Sequence, residues 1–108
     1  MKRVTQIAVV VLCCLLSSAL APKQQTHAVG IDNMKFDPAD VTINVGDSVE
    51  WTNNDTRDHT VNAKDGSFKS GNLGNGASYS YTFKKAGKFP YGCSLHPRMK
   101  GTITVNAP

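Results

Sequence analysis

The stretch from Tyr91 to Gly101 reads YGCSLHPRMKG and spaces three sulfur or imidazole side chains at intervals of three, as Cys93, His96 and Met99. The proline and the glycine in this stretch argue against a regular helix, because neither residue suits a helix interior. A short loop between two strands would instead bend the three side chains toward one point. Packing, a reactive thiol and a metal site all remain open as explanations of this pattern.

Strand patterns surround this loop and fill residues 29–108. Apolar and polar residues alternate with a period of two, which marks half-buried strands. The alternating or strand-like segments are GIDNMKF (30–36), VTINV (41–45), SVEWT (48–52), HTVNA (59–63), YSYTF (79–83), KFPYGC (88–93) and GTITV (101–105). The segment KDGSFKSGNLGNGAS (64–78) is rich in Gly, Asn and Ser and is typical of a loop. These patterns predict one all-β domain, a sandwich or barrel of about seven strands.

The N-terminus has the pattern of an export signal rather than of the domain. Lys2 and Arg3 precede an apolar run of fifteen residues, Ile7–Ala21, which is shorter than the ~20 residues of a membrane-spanning helix. Cleavage after Ala21 would leave a proline as the first residue, so cleavage after Ala28 is favoured. The predicted organisation is a removed signal peptide (1–28) followed by the domain (29–108), with an uncleaved membrane anchor as the alternative.

Removal of residues 1–28 changes what the composition implies. It takes away three of the twelve basic residues and none of the eight acidic ones, so the formal net charge falls from +4 to +1. The basic character of the whole chain is therefore no argument for nucleic-acid binding. Of three cysteines only Cys93 remains, although exported proteins usually pair their cysteines. Cys93 is then an intermolecular link, an inert thiol, a reactive thiol or a metal-bound thiolate.

The residue types favour copper among the metals. His59, at the end of a turn-rich segment, is a fourth candidate beside Cys93, His96 and Met99. Two imidazoles and a thiolate with a weak axial thioether are the donor set of blue copper electron-transfer sites. Zinc prefers four strong donors and calcium prefers oxygen, so neither explains the methionine.

Two longer segments carry a family resemblance. MKFDPADVTINVGDSVEWTNND (34–55) resembles the opening strands of the cupredoxins, the small blue copper proteins, and GKFPYGCSLHPRMKGTITV (87–105) resembles their ligand-loop end. The C-x-x-H-x-x-M spacing, with proline after the histidine, is similar to the short loop of the amicyanin-like members. Plastocyanin and pseudoazurin have longer spacing before the methionine. The resemblance covers essentially all of residues 29–108 and implies a Greek-key β-sandwich.

The resemblance also implies a site and a function. One copper ion would be held by His59, Cys93 and His96 as strong ligands and by Met99 as the weak axial ligand. The chain would be a monomeric, exported, periplasmic electron carrier and not an enzyme, cycling between Cu(II) and Cu(I). A donor and an acceptor redox protein would dock transiently near His96, with no nucleic-acid partner and no stable membrane association after signal removal. The alternatives are an envelope copper-handling protein with the same ligands and a structural sandwich whose cysteine forms an intermolecular disulfide.

Residues around the loop suggest how partners would dock. In the resembled family the loop histidine reaches the surface inside an apolar patch, for which Met34, Leu95 and Pro97 are the candidates here. Arg98 and Lys100 would steer an acidic partner, or form an ordinary solvated basic edge. Thr60 follows the first histidine where many relatives have asparagine, so only its backbone N–H is expected near the cysteine sulfur.

Overall fold

The computed structural model describes residues 23–108, which form eight β-strands and no helix. The strands are β1 (Thr26–Asp32), β2 (Lys35–Asp37), β3 (Asp40–Asn44), β4 (Ser48–Asn53), β5 (Asn62–Ala63), β6 (Ser78–Thr82), β7 (Gly87–Gly92) and β8 (Lys100–Asn106). The expectation of an all-β protein is confirmed, with one strand more than the seven expected. In this part of the chain no helix could span a membrane, and the apolar run Ile7–Ala21 lies outside the described residues.

The strands form two four-stranded sheets, in the orders β2-β1-β4-β6 and β3-β8-β7-β5. Strands β1 and β4 are parallel neighbours, as are β3 and β8, and the other pairs are antiparallel. Because β3 lies in one sheet and β4 in the other, the chain crosses repeatedly between the sheets. The result is the predicted β-sandwich, held together by contacts that are distant in sequence.

Two segments differ from the strand prediction. GIDNMKF is not one bent strand but a hairpin, in which β1 and β2 are joined by Asn33 and Met34 with φ angles of 50° and 62°. Two-residue hairpin loops of type I′ need positive φ at both central residues, and their backbone twist matches the twist of the flanking strands. In HTVNA only Asn62–Ala63 forms a strand, and His59 makes an isolated bridge with Leu73 instead.

An aromatic core fixes the two sheets against each other. Trp51 is fully buried, and its ring packs on Tyr91 with 5.4 Å between ring centres and on Phe68 with 5.5 Å. Phe68 and Leu73 come from the predicted loop 64–78, so this polar-looking segment covers one side of the core. Burying a large apolar side chain contributes about 1.5–3 kcal/mol, so these rings contribute substantially to the stability of the sandwich that carries the loops.

The first strand begins before the predicted start of the domain. Thr26, His27 and Ala28 pair with the first three residues of β4. His27 also contacts Asp47, with 3.0 Å between Nε2 and Oδ2. The predicted signal-peptide boundary after Ala28 therefore falls inside β1, while residues 1–22 of that signal lie outside the described part. The boundary remains a prediction.

Candidate metal centre

The predicted donor residues lie at one end of the sandwich. Gly92, the last residue of β7, pairs with the first residue of β5 and with the first residue of β8. The segment before β5, which carries His59, and the β7–β8 loop, which carries Cys93, His96 and Met99, therefore leave the sheet at the same end. Sheet register thus brings together residues that are more than thirty positions apart.

Cys93 is a buried thiol surrounded by hydrogen-bond donors. Its side chain is 4% exposed, and its Sγ accepts the backbone N–H of Thr60 at 3.3 Å, as expected from the sequence. Burial raises the pKa of the Cys93 thiol, but hydrogen bonds to the sulfur, above all from the Thr60 amide, outweigh it, so this pKa lies below its ordinary value. A thiol of lowered pKa forms the thiolate that binds metals.

The β7–β8 loop, residues 93–99, is called the ligand loop here, and hydrogen bonds between its own backbone groups close it. The Cys93 N–H donates to the Met99 carbonyl at 3.3 Å, and the Met99 N–H donates to the His96 carbonyl at 3.0 Å. A Cβ atom on Gly92 would stand 3.0 Å from the Met99 carbonyl oxygen, so glycine permits this close approach. These contacts turn the chain back within six residues and place the start and the end of the C-x-x-H-x-x-M motif side by side.

His59 is fully buried, and each of its two ring nitrogens faces another side chain. Its Nε2 lies 2.9 Å from Oδ2 of Asp55, and its Nδ1 lies 3.9 Å from the Cys93 Sγ. Because a carboxylate only accepts hydrogen bonds, Nε2 carries the proton and Nδ1 presents its lone pair. Hydrogen bonds from the Met34 amide and from His59 are the main reasons that the pKa of Asp55 lies below its ordinary value.

His96 and Met99 lie beside this pair. The ring centre of His96 is 4.9 Å from that of His59, and His96 is the only one of the four predicted ligands that is partly exposed. Met99 is 3% exposed. Within residues 23–108 no three His, Cys, Asp or Glu side chains are yet arranged to enclose an ion. The predicted donors are neighbours whose side chains would have to converge on a bound metal.

The donor pair at the centre fits a metal such as copper. Two donors with bonds of about 2.0 Å for nitrogen and about 2.3 Å for sulfur would lie about 3.7 Å apart when they share an ion at an angle of about 120°. The separation of 3.9 Å between Nδ1 and Sγ agrees with this value and is too long for a strong direct hydrogen bond. A second donor imidazole and a thioether alongside are the set that soft copper prefers over zinc.

Two supporting residues were not found by sequence reasoning. Asp55 lies four positions before His59 in a polar turn, where nothing distinguishes it from Asp58. The Thr60 hydroxyl accepts the Ser94 N–H at 2.8 Å and lies 2.9 Å from the Ser94 hydroxyl, so it ties the ligand loop to the His59 segment. The only signal in the sequence was that Thr60 directly follows the predicted ligand His59, and no role was predicted for the Thr60 side chain.

A shallow groove opens beside His96. It encloses about 420 Å³ and lies between the β1–β2 turn and the ligand loop. Its lining residues are Asn33, Met34, Lys35, Leu95, His96, Pro97, Arg98 and Met99. Leu95 is 52% exposed, and no other large hydrophobic side chain among residues 23–108 is as open to solvent. The predicted apolar residues Met34, Leu95 and Pro97 therefore do meet around His96.

Fold and site together define a class: a small β-sandwich protein with a cysteine, two histidines and a methionine gathered at one end. Comparison with known families gives the same result, since the model of the cupredoxin-like domain matches residues 5–105. The chain belongs to the cupredoxin-like family, as the sequence resemblance predicted. The expected cofactor, a single copper ion per chain, is supported by this membership.

Relatives and solved structures place the chain in the group of cupredoxins that contains the amicyanins and the plastocyanins. Amicyanin of Paracoccus versutus is 35% identical over 82 residues, covering 71% of this chain and 62% of that protein. Amicyanin-alpha of Methylorubrum extorquens is 34% identical over 100 residues, covering 84% of each chain. The structure of an amicyanin mutant with Cu(I) superposes with a TM-score of 0.70 at 30% identity, covering 75% of this chain and 82% of that one.

One structural neighbour is an enzyme. The Cu-containing nitrite reductase of Thermus scotoductus matches with a TM-score of 0.72 and 33% identity over 82% of this chain, but over only 24% of that chain. The likeness thus concerns one part of a much larger protein. The match to the Paracoccus versutus amicyanin likewise spans only about three fifths of that relative.

Proposed function

We propose that this chain is a one-electron carrier that holds copper with His59, Cys93, His96 and Met99. The observation that carries the proposal is the arrangement at Cys93, whose buried sulfur receives the Thr60 N–H and faces the Nδ1 lone pair of His59. A structural cysteine would need neither a lowered pKa nor a facing imidazole. Copper bound at these residues would supply a one-electron couple between Cu(II) and Cu(I).

The protein would supply a site whose donor atoms move little when bound copper cycles between Cu(II) and Cu(I). His59 and Cys93 are anchored by hydrogen bonds to Asp55 and Thr60, so their donor atoms stay in place in both charge states. The Thr60 N–H stabilises negative charge on the sulfur. Met99 offers a weak thioether donor, and burial of Cys93 and Met99 favours the lower charge of Cu(I) over that of Cu(II). With three of the four side chains buried, His96 is the route by which electrons would reach the surface.

Partners would dock at the groove beside His96. Its apolar centre, with Leu95 exposed, suits brief contact, because a small apolar surface binds weakly and releases quickly. Lys35 and Arg98 line the groove and Lys100 follows it, so the rim is positive and would attract an acidic redox partner. We further propose export to the periplasm, in agreement with the predicted signal peptide and a domain that keeps a single cysteine.

The first test is the visible spectrum of the purified protein with Cu(II), before and after a mild reductant. An intense blue band that bleaches and returns on reoxidation is expected. Cys93→Ser should lose the band. Met99→Leu should keep both band and copper and raise the reduction potential, because a donor to Cu(II) is removed. A colourless protein that binds metal would point to zinc or Cu(I) handling, and no binding at all would leave a structural role for Cys93.

Retention of copper separates the carrier from its main alternative. A carrier should keep its copper through many redox cycles in the presence of a competing chelator. A copper-handling protein with the same ligands should release it rapidly. Fast release together with poor redox cycling would favour handling over electron transfer.

A further inference from the structure

The Asp55 carboxylate connects two separate parts of the protein. Its Oδ2 accepts a hydrogen bond from Nε2 of His59 at 2.9 Å and another from the Met34 N–H at 3.0 Å. Its Oδ1 accepts the Asn33 N–H at 3.3 Å. The carboxylate is 16% exposed and the His59 ring is fully buried. One side chain thus contacts a buried imidazole and the tip of the β1–β2 hairpin.

The hairpin tip needs such a partner. Asn33 and Met34 both have left-handed backbone conformations, with φ of 50° and 62°. Asparagine tolerates this region, but a long side chain such as methionine is strained there. Two-residue turns of this kind favour Asn-Gly. Both N–H groups of the turn point to Asp55, so the carboxylate offsets the strain and keeps Met34 at the tip.

Asp55 is itself held firmly. Its backbone N–H donates to Oδ1 of Asn53 at 2.9 Å, and its carbonyl accepts Nδ2 of Asn75 at 2.7 Å. Asn53 is fully buried and donates to the carbonyl of Arg57 at 2.9 Å, bridging the turn. The backbone of this turn is therefore braced, while the carboxylate oxygens are held by the groups that they contact, Asn33, Met34 and His59.

We propose that Asp55 is a positioning residue that orients His59 toward Cys93 and, through the same carboxylate, fixes the Met34 wall of the docking groove. The inference rests on the proposed copper function. Its consequence is a mechanical link, since a partner that presses on Met34 displaces the oxygen that orients His59. Partners docking on this wall would then alter the reduction potential, whereas partners docking elsewhere would not.

The test compares Asp55→Ala with the matched control Asp58→Ala. Both remove a carboxylate within four residues of His59, but Asp58 contacts Asn72 rather than the ring. Nitrogen-15 NMR of the metal-free protein reads which ring nitrogen of His59 carries the proton. We expect Nε2–H alone in the parent and in Asp58→Ala, and a mixture that includes Nδ1–H in Asp55→Ala.

The copper-loaded variants give a second readout. Loss of an outer partner of a metal-binding histidine costs about 10- to 100-fold in metal affinity. We expect a fall of that size, together with a shifted reduction potential, in Asp55→Ala and clearly smaller changes in Asp58→Ala. Equal effects in the two variants would show that Asp55 acts only as a nearby negative charge and not through its contact with His59. An unchanged tautomer in Asp55→Ala would overturn the proposal.

A rescue variant separates orientation from folding. Met34→Gly turns the hairpin tip into Asn-Gly, which needs no carboxylate to be stable. In the double variant Met34→Gly with Asp55→Ala, the Tm should recover toward the parent while the mixed tautomer and the lowered affinity persist. Recovery of all three would show that Asp55 acts only through stability. If the parent protein failed to bind copper, the proposed function would fail, while the tautomer measurement would still decide the role of Asp55.

Discussion

The Thr60 backbone N–H donates a hydrogen bond to the Cys93 sulfur at 3.3 Å, across thirty-three positions of sequence. The hydroxyl of the same residue accepts the N–H of Ser94, the residue after the cysteine. The hydroxyl also lies 3.8 Å from the sulfur, a longer contact than that of the backbone N–H, so Thr60 supports the thiolate chiefly with its backbone and the ligand loop with its side chain. These two tasks make separable predictions.

Thr60→Val should destabilise the protein without removing its copper site. The Ser94 N–H would lose its acceptor, and an unpaired polar group of this kind costs about 1–2 kcal/mol. For a domain of this size that corresponds to a fall in Tm of roughly 5–15 °C. The blue band should remain, because the backbone N–H is unchanged. Thr60→Ser retains the hydroxyl and is the control. Equal Tm values for the two variants would contradict the role of the hydroxyl.

Gly101→Ala should be strongly destabilising. A Cβ atom at Gly101 would lie 2.5 Å from the ring and hydroxyl of Tyr91 and 2.7 Å from the carbonyl oxygen of Ala39. Tyr91 is fully buried and cannot move aside, so we expect a loss of about 2–3 kcal/mol and a fall in Tm of roughly 10–20 °C. Gly30→Ala, whose Cβ would meet only ordinary contacts of 3.5 Å or more, should change the Tm far less.

Removal of residues 23–28 should weaken the domain. These residues supply the first ladder positions of β1, and the Ser48 N–H donates to the Gln25 carbonyl at 2.9 Å. At about 1 kcal/mol for each hydrogen bond, a chain that starts at Val29 should lose about 2–4 kcal/mol relative to one that starts at Lys23. Urea unfolding of the two chains checks this.

The same contacts bear on where the proposed signal peptide would be cleaved. We expect the mature N-terminus to precede Gln25, which cleavage after Ala21 would allow. Mass spectrometry of the mature protein would reveal its first residue. A mature chain that begins at Val29 would instead support the boundary favoured by the sequence pattern.

Asp47 should make the metal-free protein sensitive to acid. A hydrogen bond from His27, and then those from the amides of Asn44 and Gln25, lower the pKa of Asp47. A lowered pKa in the folded state stabilises the protein above the unfolded value of about 3.9. This stability is lost as the pH falls through the folded pKa. Asp47→Asn should lower the Tm at neutral pH and flatten its decline below about pH 4, measured by thermal melts.

The exposed Asp32 supplies the control for this experiment. Asp32→Asn removes the same charge from the end of β1 and should leave both the neutral Tm and its acid dependence close to those of the parent. Parallel melting curves for the parent and Asp47→Asn across the acid range would show that Asp47 does not carry this dependence.

Electron self-exchange tests the docking groove without a known partner. Leu95→Glu places a charge at the apolar centre beside His96 and should slow exchange between Cu(I) and Cu(II) molecules. A tenfold effect corresponds to ~1.4 kcal/mol, which is less than the burial of a whole leucine. Ala86→Glu, in the turn before β7 at the opposite end, is the matched control. NMR line broadening measures both rates, and equal slowing would remove Leu95 from the interface.

Local patterns in the chain determined the strands and the kinds of donor. Alternation in VTINV and GTITV predicts strands because successive side chains of a strand face opposite sides. The spacing of Cys93, His96 and Met99 around Pro97 predicts a short ligand loop, because all three lie within one turn of chain. The family resemblance, carried by the same residues, was sufficient to name the fold and the metal.

The contacts that support the candidate donors could be found only in the tertiary structure. The sequence does not reveal that Asp55 rather than Asp58 faces His59, since both lie in the same polar turn. Nor does it reveal that Met34 adopts a positive φ, that Thr60 uses its hydroxyl, or that β1 starts at Thr26 beside β4. Each of these depends on the packing of segments that are far apart in the chain. Residue types and short-range periodicity therefore identified the strands and the candidate metal donors. The register between distant strands decided which other residues support those donors.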